Sequence, residues 1–103
     1  MAKDNHNVLL IDVREAQELQ ETGMIPGSIN ISLKKIEDVL KNMSVKDFQE
    51  QYGRNKPNAN FPIIFSCKAG IRSKQAQDIA IKLGYTDTKN YEGGWLDWVE
   101  KNK

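Results

Sequence analysis

Two short runs of apolar residues, of types that form β-strands readily, place the tightest limit on how this chain can fold. The runs Val8–Ile11 and Phe61–Ser66 are nearly continuous in apolar character rather than alternating with polar residues. Continuous apolar runs of this length are typical of strands buried on both faces, and such strands occur in parallel sheets covered by helices. The two runs therefore predict strands of a parallel sheet, the second of them central.

Helical patterns alternate with these strands. Strong helix formers over Arg14–Thr22 predict a helix that ends at Gly23, and a capping box of Ser44 and Asp47 opens another helix. The other predicted elements are a strand over Ile29–Ser32, a helix over Leu33–Leu40, a helix from about Ser73 to Gly84, a strand over Thr88–Tyr91 and a terminal helix from Trp95. The alternation predicts one α/β domain over residues 1–103, a doubly wound parallel sheet flanked by helices, with residues 1–7 flexible.

Composition and charge argue against several classes of protein. A net charge of +1 disfavours binding to nucleic acid or to an anionic membrane surface. The longest uninterrupted apolar run has four residues, against the roughly 20 that cross a bilayer. The first residues have the pattern of neither a secretory signal nor a transit peptide, so we expect a cytoplasmic protein. One cysteine forms neither an intramolecular disulfide nor a Cys-rich metal cage, and we expect no metal and no cofactor.

That cysteine, Cys67, directly follows the second apolar run. We expect it at the carboxyl end of a strand, the edge at which such sheets bind ligands. The loop after it contains Gly70, which lets backbone N–H groups turn inwards, and leads into a helix whose amino end attracts anions. His6 is the only histidine and lies in a polar terminal stretch, so we expect the helix end rather than a Cys–His pair to activate the thiol.

The surrounding segment, Gln51–Gln77, is strongly basic. It contains five basic residues, among them Lys68, Arg72 and Lys74, and no acidic residue. Positive surroundings and a helix amino end both favour the thiolate, so we expect the pKa of Cys67 to fall below its usual value of about 8.5. The alternative is a core cysteine that caps a buried strand, which is the commoner role of a single cysteine. A core thiol, however, gains nothing from a polar loop that contains glycine.

Four motifs, in order, resemble those of one family. The loop Cys67–Ser73 has the sequence Cys-Lys-Ala-Gly-Ile-Arg-Ser, which resembles the Cys-x-x-Gly-x-Arg-Ser active-site loop of the single-domain rhodanese sulfurtransferases. Leu10–Glu15 resembles the end of that family's first strand, Gly23–Asn30 its Gly-His-Ile-Pro-Gly-Ala turn and Tyr91–Trp95 its closing Gly-Gly segment. The middle of the chain is similar to the small thiosulfate:glutathione sulfurtransferases and to the heat-shock protein 67B2 branch of insects. The resemblance covers about residues 8–101.

This resemblance implies a rhodanese-like fold and a sulfurtransferase whose catalytic nucleophile is Cys67. The thiolate would attack the outer sulfur of thiosulfate or a similar donor, release sulfite and hold the sulfur as a persulfide. Arg72 and the loop amides would hold the anionic donor, with Lys68 adding charge at the mouth of the site. Because the chain has no second cysteine, the acceptor must come from outside: glutathione, another small thiol, cyanide or a thiol protein. The expected substrate-binding residues are Lys68, Ala69, Gly70, Ile71 and Arg72.

Three more residues are expected to support the site. Asp12 and Arg14, at the end of the neighbouring strand, are more often an ion pair or hydrogen-bond support for a loop than a catalytic pair. Ser73 is more simply a hydroxyl at the amino end of a helix than a nucleophile.

Two other functions are also compatible with the sequence. A cysteine phosphatase or arsenate reductase also holds an oxyanion over a thiolate, but its loop follows the pattern Cys-x-x-x-x-x-Arg. Only four residues separate Cys67 from Arg72. The second alternative is a non-catalytic rhodanese-like module that binds a protein partner; such modules commonly lack the cysteine that this chain has.

Overall fold

The computed structural model describes residues 7–101. The stretch expected to be flexible lies outside this range except for Asn7, and so does His6. In chain order the elements are β1 (Leu9–Asp12), α1 (Ala16–Thr22), β2 (Ile29–Asn30), α2 (Leu33–Asn42), α3 (Val45–Tyr52), β3 (Ile63–Ser66), α4 (Ile71–Lys82), β4 (Thr88–Asn90) and α5 (Gly94–Lys101).

The strands form one sheet in the order β2-β1-β3-β4, and each neighbouring pair is parallel. In the register of the two central strands, Leu9 lies opposite Ile63 and Asp12 lies opposite Ser66. The strands β1 and β3 therefore end at the same level. As a result, the residues that follow them share one edge of the sheet, which is the edge expected to bind ligands.

Helices cover both faces of this sheet, which confirms the predicted doubly wound arrangement. On one face, α2, α3 and α4 pack on β1 and β3, and the buried residues there include Leu9, Ile11, Ile36, Phe48, Phe65, Cys67, Ala76 and Ala80. On the other face a smaller cluster joins Leu10 and Ile25 to Val8, Ile64, Tyr91 and the two tryptophans of α5. Each fully buried Leu, Ile or Phe side chain contributes about 1.5–3 kcal/mol to the stability of this arrangement.

Two helix starts differ from the prediction, each for a local reason. Helix α4 begins at Ile71 rather than about Ser73, because Gly70 adopts a left-handed conformation, with φ of 91°, and acts as the N-cap directly after the loop. Helix α1 begins at Ala16, where Glu15 and the side chain of Glu18 form a reciprocal capping box that glutamate seldom provides. Between residues 7 and 101, no helix is long and apolar enough to cross a membrane.

Candidate active site

Cys67 follows β3 directly and begins the loop that leads into α4. The residue is only 2% exposed. Its Sγ accepts hydrogen bonds from the backbone N–H of Gly70, at 3.0 Å, and of Ser73, at 3.4 Å. The hydroxyl Oγ of Ser73 also lies 3.4 Å from Sγ. A thiol that serves only as core filling needs no such donors, so these contacts favour a sulfur atom that carries negative charge.

The backbone of the loop explains why these N–H groups face the sulfur. Ser73 lies in the first turn of α4, where the N–H groups have no partner within the helix, and Sγ takes one of them. Gly70 supplies the left-handed turn, and a Cβ atom at this position would lie 2.2 Å from the carbonyl oxygen of Glu92. Glycine is therefore required at position 70 both by conformation and by space.

The amino end of α5 fixes the other side of the same loop. The N–H groups of Trp95 and Leu96 donate to the carbonyl oxygens of Cys67, at 2.8 Å, and Lys68, at 3.2 Å. The C=O of Lys68 and the N–H of Ala69 belong to one peptide group, and in a planar trans peptide these two groups point in opposite directions. Because the Lys68 carbonyl faces Leu96, the N–H of Ala69 faces the sulfur. Gly94 permits the approach, because a Cβ atom there would lie 2.2 Å from the carbonyl oxygen of Cys67.

The environment of Cys67 lowers the pKa of its thiol. Burial alone would raise the pKa, but the hydrogen bonds that a thiolate at this position accepts from the Ser73 hydroxyl and from the N–H groups of Ser73, Ala69 and Gly70 together lower it by more. The direction agrees with the sequence prediction. The predicted contribution of the helix amino end is present in the N–H of Ser73, whereas the charged side chains of Lys68 and Lys74 are not among the causes.

Arg72 lies at the site but already binds a carboxylate. Its Nη1 and Nη2 donate to the two carboxyl oxygens of Glu18 at 2.7 and 2.9 Å. The side chains of this pair are 33% and 34% exposed, so solvent reaches both of them. The hydrogen bonds from Arg72 lower the pKa of Glu18 to about 2, and those to Glu18 raise the pKa of Arg72. An anion that binds this guanidinium must share it with Glu18.

The other predicted substrate-binding residues form the outer surface of the loop. Lys68 and Ala69 are exposed, and Ile71 is 72% exposed. Lys74, which was expected near the thiol, instead forms an exposed ion pair with Asp78 one turn further along α4, at 2.9 Å. Of this group only the backbone of Ala69 contacts the sulfur.

Asp12 and Arg14 form the predicted ion pair, and it is almost fully buried. Nε and Nη2 of Arg14 bind the Asp12 carboxylate at 2.8–3.1 Å. Arg14 also donates to the hydroxyl of Thr22 and to the carbonyl oxygen of Gly23, and its guanidinium lies 5.0 Å from the ring centre of Trp95. The pair thus joins the end of β1, the end of α1 and the first turn of α5, which in turn holds the loop.

Two residues of the site were not predicted from the sequence. Glu18 is separated from Arg72 by 54 positions, and no local pattern links them. Asn90 ends β4 and bonds both Ser73 and the carbonyl oxygen of Gly70. A signal for Asn90 existed, since it is a polar residue at the carboxyl end of a predicted strand.

Residues 7–101 contain no group of three or more His, Cys, Asp or Glu side chains that could hold a metal ion. The fold and the site together define an α/β domain that holds one buried thiol among amide donors at the carboxyl edge of a parallel sheet.

Comparison with known proteins identifies that class. The chain belongs to the family of the rhodanese-like domain, whose match covers residues 1–101. A mouse protein named thiosulfate sulfurtransferase/rhodanese-like domain-containing protein 3 is 46% identical over 93% of this chain, which spans 60% of the mouse protein. The human thiosulfate:glutathione sulfurtransferase is 39% identical over 89% of this chain and 79% of its own length.

A solved structure agrees with this assignment. The human single-domain sulfurtransferase TSTD1 superimposes with a TM-score of 0.86 at 36% identity, covering 97% of this chain and 88% of that one. Two yeast relatives carry the word mitochondrial in their names.

Proposed function

We propose that this chain is a sulfurtransferase that moves sulfane sulfur from thiosulfate or a similar donor to a thiol or to cyanide, with Cys67 as its nucleophile. The observation that carries the proposal is the pair of hydrogen bonds that Cys67 Sγ accepts from the backbone N–H groups of Gly70 and Ser73. These donors hold a thiolate, which is the form that attacks sulfur. The names of the relatives support thiosulfate as donor and glutathione as acceptor.

The first half of the reaction forms a persulfide. The Cys67 thiolate attacks the outer sulfur of thiosulfate, and a new S–S bond forms. The S–S bond of thiosulfate breaks, and its electron pair leaves with sulfite. Because Cys67 is 2% exposed, the donor must reach it with a single terminal atom, as the outer sulfur of thiosulfate does.

The second half returns the enzyme to its starting state. An acceptor thiolate attacks the outer sulfur of the persulfide, and the S–S bond to Cys67 breaks. The electron pair stays on Sγ, where the amide donors stabilise the thiolate leaving group, as they do in the free enzyme. Since the chain contains one cysteine, the acceptor is a separate molecule, either glutathione, cyanide or a protein thiol.

The loop residues have different roles in this scheme. Arg72 attracts the charged end of the donor, with Lys68 as a second positive charge in solvent. Ala69, Gly70 and Ser73 contribute their backbone N–H groups, and Ile71 starts the helix that orients them. Asp12 and Arg14 hold the neighbouring elements in place.

The proposal extends to the partners, the domain and the location of the protein. A net charge of +1 supports small-molecule partners rather than nucleic acid or a membrane surface. The family match over residues 1–101 supports one rhodanese-like domain over the whole chain. A cytoplasmic location is part of the proposal. Cell fractionation tests that location, and recovery in mitochondria, as the names of the yeast relatives suggest for those proteins, would contradict it.

The direct test of the proposed function is a transfer assay. Purified protein is mixed with thiosulfate and cyanide, and thiocyanate and sulfite are measured, with Cys67→Ser as the control. We expect both products from the wild type and neither from the variant. A folded wild type that forms no thiocyanate would overturn the proposal. Release of phosphate from an aryl phosphate would then favour a cysteine phosphatase, and the absence of any turnover would favour a non-catalytic binding module.

A further inference from the structure

The hydroxyl group of Ser73 lies between two partners. Ser73 is fully buried, and its Oγ lies 3.4 Å from Cys67 Sγ and donates a hydrogen bond to Oδ1 of Asn90. Asn90 in turn donates from Nδ2 to the carbonyl oxygen of Gly70 at 3.1 Å, and the Gly70 N–H donates to Sγ at 3.0 Å. These four residues form a closed ring of hydrogen bonds, and Asn90, on β4, is the member outside the loop and α4.

The position of each proton in this ring is set by what the atoms can donate. A carbonyl oxygen only accepts, so the amide group of Asn90 must turn its NH₂ to Gly70 and its Oδ1 to Ser73. Oδ1 also only accepts, so the single hydroxyl proton of Ser73 lies on the bond to Asn90. In this arrangement the Ser73 hydroxyl offers Cys67 only a lone pair, which can accept from the S–H of a neutral thiol but cannot stabilise a thiolate.

A thiolate needs the opposite arrangement. When Cys67 loses its proton, the Ser73 hydroxyl must rotate away from Asn90 and donate to Sγ, which leaves Asn90 Oδ1 without its partner. When Sγ becomes the neutral inner sulfur of a persulfide, the hydroxyl can return to Asn90. The amide of Asn90 and the sulfur of Cys67 thus compete for one proton.

We propose that Asn90 is a positioning residue that holds the Ser73 proton whenever Cys67 is neutral and yields it when the thiolate forms. The role of this proton in the persulfide state rests on the proposed function, whereas its role in the free thiol does not. Asn90 touches neither the sulfur nor the proposed substrate in this scheme; it acts through Ser73.

The charged pairs around the loop keep their partners in the test. Arg72 on α4 is paired with Glu18 on α1, and Asp12 is paired with Arg14 at the end of β1. None of them bonds Asn90 or the Ser73 hydroxyl among the contacts of residues 7–101. A change of the pKa of Cys67 on substitution of Asn90 therefore reports on the Ser73 proton.

The experiment measures the pKa of Cys67 from the pH dependence of its alkylation by iodoacetamide. Asn90→Leu removes the competing acceptor, and the carbonyl oxygen of Gly70 keeps a donor in the Lys74 N–H. We expect the pKa to fall by about one pH unit, a roughly tenfold gain in thiolate at low pH. Ser73→Ala should raise the pKa, and adding Asn90→Leu to Ser73→Ala should change it no further.

Two further variants make the result interpretable. Asn60→Leu, an exposed position in the loop before β3, should leave the pKa unchanged. Asn90→Asp keeps an acceptor beside Ser73 and should not lower the pKa, which provides a second measurement if Asn90→Leu fails to fold. A pKa that rises in Asn90→Leu, falls in Asn90→Asp or shifts equally with and without Ser73 would overturn the proposal. Alkylation needs no sulfur donor, so the outcome is independent of whether sulfur transfer is observed.

Discussion

Replacing Glu18 with glutamine tests how Arg72 receives an anionic donor. In the structure both terminal nitrogens of Arg72 hold the Glu18 carboxylate, at 2.7 and 2.9 Å. A donor anion on the same guanidinium would lie roughly 4–5 Å from that carboxylate. At such a separation two unit charges repel by about 1 kcal/mol in water and about 4 kcal/mol near a less hydrated protein surface.

The pair is about one-third exposed, which places the repulsion near the lower end of that range. We take the repulsion between the donor and the Glu18 carboxylate as about 1–2 kcal/mol. Its removal corresponds to a KM for thiosulfate about 5- to 30-fold lower in Glu18→Gln. Glutamine keeps the size and one acceptor oxygen, so Arg72 stays in place while the competing charge is removed. The turnover number should change much less than KM, because Cys67 and its donors are untouched.

Steady-state kinetics with thiosulfate as the varied substrate measures this effect. Glu21→Gln is the matched control: it removes the same charge from an exposed position on the same helix, and should leave KM unchanged. A KM that is unchanged or higher in Glu18→Gln would refute competition for Arg72. It would show instead that Glu18 serves only to orient the guanidinium.

Three other results are expected. Pairing with Arg72 lowers the pKa of Glu18 to about 2, so this pairing stabilises the folded state at pH values above the unperturbed pKa of the carboxyl group and stops doing so as the pH falls towards 2. Glu18→Gln should therefore lower the free energy of unfolding at neutral pH by about 1 kcal/mol or less. Chemical denaturation should show the difference between variant and wild type disappearing in acid. Gly70→Ala forces a Cβ against the Glu92 carbonyl and should cost about 2–4 kcal/mol in urea unfolding, with loss of rapid alkylation. Arg14→Met leaves the Asp12 carboxylate buried without its partner and should cost about 3 kcal/mol or more, seen as a lower Tm.

The central strands and the active-site loop were predictable because their signals are local. The apolar runs around Leu10 and Ile64 identified β1 and β3. The polar loop after Cys67 identified the edge of the sheet that holds the candidate active site. The start of α4 was placed two residues late, because Gly70 looks like a loop residue in sequence but acts as a left-handed N-cap in the structure.

What was not predictable depends on contacts between distant segments. Glu18 was expected only as part of a helix, yet it changes the availability of Arg72, which lies 54 positions further along the chain. The activation of Cys67 was attributed to the amino end of the following helix and to basic side chains. Which N–H groups face the sulfur was not predicted, since a sequence displays charges but not the directions of N–H groups. Those directions depend on the contact between the loop and α5, which no local pattern encodes.

Intact mass tests directly whether Cys67 carries the sulfur during transfer. The protein is incubated with thiosulfate, freed of excess reagent and weighed, with Cys67→Ser in parallel. We expect a gain of one sulfur atom in the wild type, no gain in the variant, and loss of the added mass on addition of glutathione or cyanide. A folded wild type with a reactive thiol that gains no sulfur, or an equal gain in Cys67→Ser, would contradict this role of Cys67.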